Sequence, residues 1–359
     1  MVRNRKPAHP SKGPARILGI AGTAGKTGTR ALAARALAPS GPTKAPAAFT
    51  LVEMPFAAAG TGPEVPFDAI LVTEVGPRDL VRFAGADEIA AAVARSLAAL
   101  KAGGTAILPG ESPAFPALEA AAKAAGARDV LTFGTGKGCD LCLCAAQVAA
   151  LRTEVEAEIE GRALSFSIPQ IGAHWALDAL AVLGAAAALG ADLADAVNAL
   201  ETAPAEGRGC ARELPWGEGR IVLLDERGGN EPLSMAAALR ALAAAANLPQ
   251  LFGSGRAVAV LEAMPDLGAA SDACHADLGA LFKSAALDRL FVAGAPADPA
   301  FTAAPEAVRA ARAKRPRDLI KPLLIELRPG DVVLVKGGKA MDAIVAALET
   351  HSLNGTTEA

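Results

Sequence analysis

The sequence predicts an α/β protein of two domains, each built on a mostly parallel β-sheet. Its 359 residues are enough to form two separate hydrophobic cores. Short apolar runs alternate with longer alanine-rich segments of helical period, which is typical of a doubly wound parallel sheet. A strictly alternating stretch, Glu154–Ile168, interrupts this order, and a second series of strand and helix patterns follows it.

The first series predicts a central domain. Clusters of apolar residues, most of them followed by a helical pattern, indicate strands at Ile17–Ile20, Phe49–Glu53, Ala69–Thr73, Thr105–Leu108 and Val130–Phe133. Asp140–Ala146 is a further expected strand. Glu154–Ile168 is expected to form a half-exposed hairpin, because polar and apolar residues alternate on both sides of a Gly-Arg turn. The alanine-rich stretch His174–Leu200 is expected to be helical.

The second series predicts a smaller, Rossmann-like α/β domain at the C-terminal end. Its strands are expected near Arg220–Leu224, Ala257–Leu261, Arg289–Val292 and Val332–Val335. Gly207-Arg208-Gly209 indicates a junction, and the boundary is expected near Ala205. The chain then divides into a tail of residues 1–15, a central domain of residues 16–205 and a C-terminal domain of residues 206–359. The basic, proline-containing tail is expected to be flexible, with a partner-binding arm as the alternative.

Composition and charge exclude several classes of function. A net charge of −3 and an aromatic content of 4% give no sign of a nucleic-acid-binding surface. The sequence shows no apolar run long enough to span a bilayer and no signal peptide, so a cytoplasmic protein is expected. Cys139, Cys142 and Cys144 fall on one expected strand. Buried reduced thiols are favoured there over a zinc site, which would lack a fourth ligand.

A glycine loop follows the first expected strand and reads Gly22-Thr23-Ala24-Gly25-Lys26-Thr27. Glycines in such a loop let backbone N–H groups surround phosphate oxygens, and the next helix adds its positive N-terminus. Lys26 can then reach the transferred phosphate, and the Thr27 hydroxyl can bind Mg²⁺. The standard loop has a further glycine where this chain has Ile20, so the match is to a variant. The central domain is therefore expected to be P-loop ATPase-like and to bind ATP and Mg²⁺; a glycine-rich turn without a ligand is the alternative.

The loop and four distant segments together resemble the Mur ligase family, and most of all its D-alanyl-D-alanine-adding branch. The four segments are Leu131–Gly134, Asp225–Met235, Leu267–His275 and Val333–Met341. The resemblance covers residues 16–348. It implies an ATP-dependent amide ligase of cell-wall precursor synthesis, in which ATP phosphorylates a small-molecule carboxylate and an amino acid or peptide amine attacks the acyl phosphate.

The resemblance also implies roles for residues around the phosphates. Lys26 would hold the β- and γ-phosphates, and Thr27 and Glu53 would bind Mg²⁺. Arg208 would reach the phosphates from beyond the domain boundary, after the two domains close over ATP. The alternatives are a solvated carboxylate at the end of a strand for Glu53 and an ordinary linker arginine for Arg208.

Further roles concern the nucleoside and the substrate. Asp225 or Glu226 would bind the ribose, unless these residues only end a strand. His174 and Asp178 fall on a His-Asn-x-x-Asn pattern whose last asparagine contacts adenine, so aspartate puts the base contact in question. His174 could instead cap a helix. Lys336 and Gly337 belong to a segment expected to contact substrate, and His275 is expected to be structural.

Three departures from the family set limits on the resemblance. Only the tail precedes the loop, so a UDP-sugar-binding domain is expected to be absent and a protein partner could supply it. Glu74 and Asp79 replace an asparagine and a metal-binding histidine, and Val93 falls where the family carbamylates a lysine. Glu53, Glu74 and Asp79 could form a rebuilt acidic metal site, or they could reflect drift. The alternative function is a catalytically impaired nucleotide-binding protein that regulates or scaffolds a ligase.

Overall fold

The computed structural model describes residues 15–38, 49–56, 66–203, 208–248 and 255–355, which fold around two sheets. We call residues 15–203 the first lobe and residues 208–355 the second lobe. The strands of the first lobe are β1 (Arg16–Ala21), β2 (Phe49–Glu53), β3 (Phe67–Val72), β4 (Leu100–Pro109), β5 (Asp129–Gly134), β6 (Leu141–Ala149), β7 (Arg152–Ile159) and β8 (Arg162–Ile168).

The sheet of the first lobe has the order β2-β1-β3-β4-β5-β6-β7-β8. Its strands are parallel from β2 through β6, and β7 and β8 continue as an antiparallel hairpin. Ile20 on β1 pairs with Glu53 on β2, and Ala21 pairs with Val72 on β3. Parallel neighbours end at one edge, so the segments that follow β1, β2 and β3 lie side by side.

Among the described residues, five α-helices cover the two faces of this sheet: α1 (Lys26–Ala36), α2 (Ala86–Ala94), α3 (Phe115–Ala124), α4 (Ala173–Ala188) and α5 (Leu193–Glu201). Leu18 and Leu71 pack in a core with α1, α4 and α5, whereas Ile70 and Val72 pack in a second core with α2 and α3. The alternation follows from the two-residue period of a strand. Strands buried on both faces are expected to be almost continuously apolar, as these are.

The sheet of the second lobe has six strands, β9 (Ala211–Trp216), β10 (Gly219–Arg227), β11 (Ala257–Glu262), β12 (Arg289–Ala293), β13 (Arg309–Ala313) and β14 (Val332–Gly337). Their order is β13-β12-β11-β14-β10-β9, and only β9 runs antiparallel to its neighbour. The helices are α6 (Pro232–Ala246), α7 (Ser271–Ala276), α8 (Leu278–Ser284), α9 (Asp298–Ala303), α10 (Ile320–Glu326) and α11 (Asp342–Gly355).

The predicted α/β fold class is confirmed, and every predicted strand and the hairpin are present. The predicted helical stretch His174–Leu200 forms two helices, α4 and α5. Two edge strands, β9 and β13, were not predicted; β9 contains Arg212, Glu213 and Pro215, and β13 consists of arginine and alanine alone. Neither strand has a β-branched residue, and Trp216 at the end of β9 is the one aromatic residue in the two, so the usual strand pattern is missing.

Some expectations cannot be compared with the fold in this way. The expected boundary near Ala205 and almost all of the tail lie outside the described residues.

Of the three clustered cysteines, Cys142 is buried, Cys139 is half-buried and Cys144 is exposed, so burial was predicted correctly only for Cys142. In the described ranges, no helix has both the length and the apolar character needed to cross a membrane.

Candidate nucleotide-binding site

The loop between β1 and α1 has the backbone conformation of a phosphate-binding loop. Gly22 and Gly25 have φ angles of 130° and 82°, which side chains other than glycine rarely adopt. A Cβ on Gly22 would also lie 2.2 Å from the Thr73 hydroxyl oxygen. Gly25 begins α1, and within the described structure no side chain caps its N-terminus. The first N–H groups of the helix are thus available to an anion.

Lys26 lies across this loop. Its ammonium group donates a hydrogen bond of 2.8 Å to the carbonyl oxygen of Gly22, and its side chain is buried. Burial lowers the pKa of Lys26, and the charge of Arg78 lowers it further, against the opposing charges of Glu53 and Glu231. A phosphate oxygen could replace the Gly22 carbonyl as the acceptor without a large movement of the lysine.

The end of β3 braces the loop, which the sequence did not reveal. The Glu74 carbonyl accepts a hydrogen bond of 2.9 Å from the Thr23 N–H, and the Thr73 hydroxyl donates one of 2.5 Å to the Ala24 carbonyl. Arg78 donates a hydrogen bond of 2.6 Å to the Thr23 carbonyl. These contacts join neighbouring strand ends, and sequence spacing alone gives no signal for them.

Thr27 and Glu53 meet at the solvent-exposed side of the loop. The Thr27 hydroxyl donates a hydrogen bond of 3.1 Å to Oε1 of Glu53. A hydroxyl and a carboxylate are hard oxygen donors of the kind that Mg²⁺ prefers, and Mg²⁺ usually takes its other ligands from water and phosphate. The pair therefore fits the metal that the sequence predicted there.

The three carboxylates of the expected acidic site, Glu53, Glu74 and Asp79, have different surroundings. Among the residues that the structure describes, no three His, Cys, Asp or Glu side chains are grouped so that they could hold a metal ion. Asp79 has a positive φ of 53° and pairs with Arg82 at 3.1 Å. Burial raises the pKa of Glu74, against the charges of Arg240 and His174. That Glu53, Glu74 and Asp79 together hold Mg²⁺ therefore stays a prediction, and the Thr27–Glu53 pair is the part that a direct contact supports.

Val93 lies on α2 and points into the core that α2 and α3 form with the sheet. It is buried in the same cluster as Phe67 and Ile70. A lysine in this orientation would be placed in apolar surroundings, where its charged form is costly.

A cavity of about 410 Å³ opens beside the loop, at the ends of β3, β4 and β5. Glu74, Asp87 and Glu111 line it together with apolar residues, and Leu233 of the second lobe closes one side. Hydrogen bonds from the backbone and hydroxyl of Thr135 hold the pKa of Glu111 below its ordinary value. Ligand sites of α/β proteins occur at this edge of the sheet.

The second lobe faces the loop through charged residues on β10 and β14. Glu226 pairs in register with Lys336, and both are buried. Burial would raise the pKa of Glu226, but contacts with His174 and Trp175 and the charge of Lys336 lower it below its ordinary value. The pKa of Lys336 is lowered by burial, although Glu226 and Glu231 oppose the shift. Arg208 lies near this pair and lowers the pKa of Lys336 further.

Asp225 has a different environment from Glu226. Its carboxylate accepts hydrogen bonds from Arg227 at 2.7 and 2.6 Å, and Arg212 lies 3.7 Å away. Asp225 therefore takes part in a local ion-pair network. Of the two carboxylates predicted for the ribose, Glu226 is the one that contacts residues of the first lobe.

The contacts of His174 and His275 show which of their predicted roles the structure supports. His174 does not cap α4, since Gly172 holds the N-cap position. Instead its Nε2 lies 3.5 Å from Glu226. His275 is structural, as predicted: its Nε2 accepts a hydrogen bond of 2.9 Å from the Met264 N–H, and its Nδ1 lies 2.8 Å from the Ser271 carbonyl.

Asp178 on α4 points towards the start of α1. A Cβ on Gly25 would lie 3.4 Å from its carboxylate, and the Thr29 hydroxyl contacts the same group. Burial raises the pKa of Asp178 to about 8, and the charges of Glu74 and Glu226 act in the same direction. The carboxyl group is therefore mainly protonated at pH 7 and can both donate and accept a hydrogen bond, as asparagine does.

The two lobes are in contact around the loop. Arg78 lies 3.4 Å from Glu231 of the second lobe, and a Cβ on Gly76 would overlap Leu233. The Val81 N–H donates a hydrogen bond of 3.3 Å to the Asp266 carbonyl. The molecule thus belongs to the class of two-lobed α/β proteins in which a phosphate-type loop faces a second, Rossmann-like sheet across a closed cleft.

Comparison with family models identifies the family. The model of the Mur ligase middle domain matches residues 55–186, and that of the Mur ligase glutamate ligase domain matches residues 218–338. The chain belongs to the Mur ligase family, and the predicted resemblance is confirmed.

Several relatives are similar in sequence. UDP-N-acetylmuramate–L-alanine ligase of Streptomyces avermitilis is 31% identical over 50% of this chain, and UDP-N-acetylmuramoyl-tripeptide–D-alanyl-D-alanine ligase of Synechocystis is 34% identical over 52%. These matches span only 38% and 39% of the relatives' own lengths. The corresponding D-alanyl-D-alanine ligase of Mycobacterium tuberculosis is 29% identical over 92% of this chain and 73% of its own.

Solved structures show the same fold. MurF ligase from Thermotoga maritima, determined in complex with ADP, superposes with a TM-score of 0.76 at 19% identity, covering 96% of this chain and 81% of that one. UDP-N-acetylmuramate–alanine ligase MurC from the same organism gives a TM-score of 0.63 at 16% identity, covering 96% and 76%. At these identities the comparison supports the fold of both lobes.

Proposed function

We propose that this chain is an ATP-dependent ligase that joins a small-molecule carboxylate to the amine of an amino acid or peptide. The observation that carries the proposal is the Thr27–Glu53 pair, which lies beside Lys26 at the mouth of a glycine loop. In the proposed reaction, a substrate carboxylate oxygen attacks the γ-phosphorus of ATP, and ADP leaves. The amine nitrogen then attacks the acyl carbon, phosphate leaves with the C–O bond electrons, and the amine loses a proton.

Each part of the site has a task in this scheme. Lys26 and the N-terminus of α1 would bind the phosphate chain, and Mg²⁺ on Thr27 and Glu53, when bound, would neutralise phosphate charge. The buried cation of Lys336 and the neighbouring Arg208 lie across the cleft. The contacts between the lobes would exclude water from an acyl phosphate that hydrolyses readily.

The cavity beside the loop gives the substrates a place to bind. It lies at the ends of β3, β4 and β5, with Leu233 of α6 on one side, and is lined by carboxylates and apolar side chains. We place the acid and the amine there, and peptidoglycan precursors are the first substrates to test. Binding of a UDP-sugar end by a protein partner stays a prediction.

A second candidate function is a nucleotide-binding protein with impaired catalysis. Two residues favour it. Asp79 forms an ion pair with Arg82, and Val93 is buried in the core, so neither side chain contacts Glu53. This protein would bind Mg-ATP without turning it over.

The test of function is an assay of ADP release with mass analysis of the products. The purified protein is incubated with Mg-ATP, peptidoglycan precursors and free amino acids, added singly and in pairs. A ligase releases ADP only when acid and amine are both present, and forms a product of their summed mass less one water. Release without any amine would indicate a simple ATPase, and binding without release would favour the impaired protein.

The metal role of Glu53 gives a separate prediction. Glu53→Gln removes the negative charge from the Thr27–Glu53 pair, so the Mg²⁺ concentration needed for half-maximal ATP binding should rise about tenfold or more. Calorimetric titration of ATP at several Mg²⁺ concentrations measures this shift.

Asp79→Asn is the matched control, because Asp79 pairs with Arg82 and does not join Glu53. Its Mg²⁺ dependence should equal that of the wild type. An equal shift in both variants would contradict the assignment and revive the three-carboxylate site.

A further inference from the structure

The indole ring of Trp175, at the start of α4, fills the space between the loop and the second lobe. Its exposed fraction is only 4%. One edge faces Gly28 on the first turn of α1, where a Cβ would lie 2.6 Å from Cη2 of the ring. The other edge faces Gly209, where a Cβ would lie 2.4 Å from Nε1. Both distances are too short for a real side chain, so the ring is accommodated by two glycines.

The ring is also held by a hydrogen bond from the other lobe. Its Nε1–H donates to Oε1 of Glu226 at 2.8 Å, and His174 contacts the same carboxylate at 3.5 Å. Glu226 is thus already engaged by the first lobe. A ribose hydroxyl could take the place of this hydrogen bond on Oε1 only by displacing the indole.

The side of α1 on which Thr27 and Glu53 lie indicates where the indole ring would stand relative to a bound phosphate chain. A phosphate chain on the N-terminus of α1 has its metal-binding end on the side of Thr27 and Glu53, which is exposed. Gly28, Asp178 and α4 lie on the other side of α1, where the nucleoside would leave the helix. The indole occupies that side, and it is a flat bicyclic ring like a purine.

We propose that Trp175 fills the nucleoside half of the site while the lobes are closed, and so determines which phosphate ligand can bind. The closed protein accepts a phosphate chain without a nucleoside, whereas ATP binds only after the indole leaves Gly28 and Glu226. This inference deepens the proposed function and depends on it, because it assigns the nucleotide selectivity of the same site.

The test compares the binding of two magnesium-loaded ligands, ATP and inorganic tripolyphosphate, by calorimetry. Trp175→Ala should raise the affinity for ATP about tenfold or more, because no ring has to be displaced. Its affinity for tripolyphosphate should stay within about twofold of the wild type. Trp175→Phe, which keeps a ring but removes the N–H, should lie between the wild type and the alanine variant.

A fluorescence measurement reports on the ring itself. The chain has two tryptophans, and Trp216 packs against His351 in the second lobe. In a Trp216→Phe variant, Trp175 is therefore the single reporter. ATP should shift its emission to longer wavelength as the buried ring becomes exposed, and tripolyphosphate should leave the emission unchanged.

Gly28→Ala provides a variant that keeps the tryptophan if Trp175→Ala does not fold. Alanine normally favours a helix over glycine, but here its Cβ would overlap the ring. In the wild-type background, Gly28→Ala should lower the midpoint of thermal unfolding, because the new Cβ overlaps the indole. In the Trp175→Phe background, the smaller phenyl ring leaves room for the Cβ, so Gly28→Ala should raise the midpoint. ATP affinity should rise in Gly28→Ala itself, since the displaced ring vacates the site.

The outcomes separate this inference from the proposed function. Unchanged or weakened ATP binding in Trp175→Ala, with tripolyphosphate still bound, would overturn the role of Trp175 and leave the ligase proposal standing. If neither ligand binds to the wild type or to any folded variant, the loop is not a phosphate site and both proposals fail.

Discussion

Replacing Lys26 by methionine should lower ADP release by about 10²–10³-fold, the loss typical of removing a pre-positioned group that stabilises transferring charge. Lys26 is already held across the loop by its bond to the Gly22 carbonyl, so little reorganisation is needed when phosphate arrives. Methionine keeps most of the aliphatic stem and removes only the charge. Steady-state assays at saturating acid and amine measure the effect.

Lys101→Met is the matched control for Lys26. Lys101 is an exposed lysine whose ion pair with Asp68 has an N–O distance of 3.4 Å, and an exposed pair contributes little to stability. Its ADP release should equal that of the wild type. Turnover retained in Lys26→Met, with unfolding curves showing both variants folded, would contradict the assignment of the loop to phosphate.

The position of the loop beside Glu53 could be predicted from the sequence because it follows from the pairing of parallel strands. The apolar run Ile17–Ile20 fixes β1, and Phe49–Glu53 fixes β2. Once the two strands pair, Ile20 lies opposite Glu53, so a carboxylate at the end of β2 must lie near the start of α1. Local pattern and sheet topology determine this part of the site together.

The remaining site depends on contacts that no local pattern encodes. Asp225 and Glu226 are adjacent on β10, so they face opposite sides of the strand, but only the packing of α4 shows that Glu226 faces the cleft. Asp79 was expected near the metal, and neither its left-handed backbone nor its ion pair with Arg82 could be foreseen from the sequence. Trp175 was part of a helical pattern, and its place between the lobes depends on two glycines distant in sequence.

Asp178→Asn should change the dependence of stability on pH more than any other substitution of a single carboxyl group considered above. Burial raises the pKa of Asp178 from 3.8 to about 8 in the folded protein. Between about pH 4 and pH 8 the unfolded chain therefore loses this proton while the folded protein keeps it. The free energy of unfolding should fall as pH rises through this range, by up to about 1.4 kcal/mol per pH unit for this one proton.

Asparagine carries no such proton but has nearly the same shape as the protonated acid. The variant and the wild type should be similarly stable near pH 4, and the variant should become the more stable by several kcal/mol near pH 8. Urea unfolding of both proteins at pH 4.5, 6 and 8 measures the difference. Asp272→Asn, at an exposed position on α7, controls for the loss of one carboxylate.

Asp178→Asn also tests whether ionisation of Asp178 weakens the binding of ATP. Glu74 and Glu226 both act on Asp178, so an ionised Asp178 would add a third negative charge beside the phosphate loop. ATP affinity of the wild type should therefore fall as pH rises through about 8, while that of Asp178→Asn stays level. Parallel pH profiles for the two proteins, in stability and in ATP binding, would mean that Asp178 ionises as an ordinary aspartate. That outcome would contradict the inference that Asp178 is protonated and acts as asparagine would at this position.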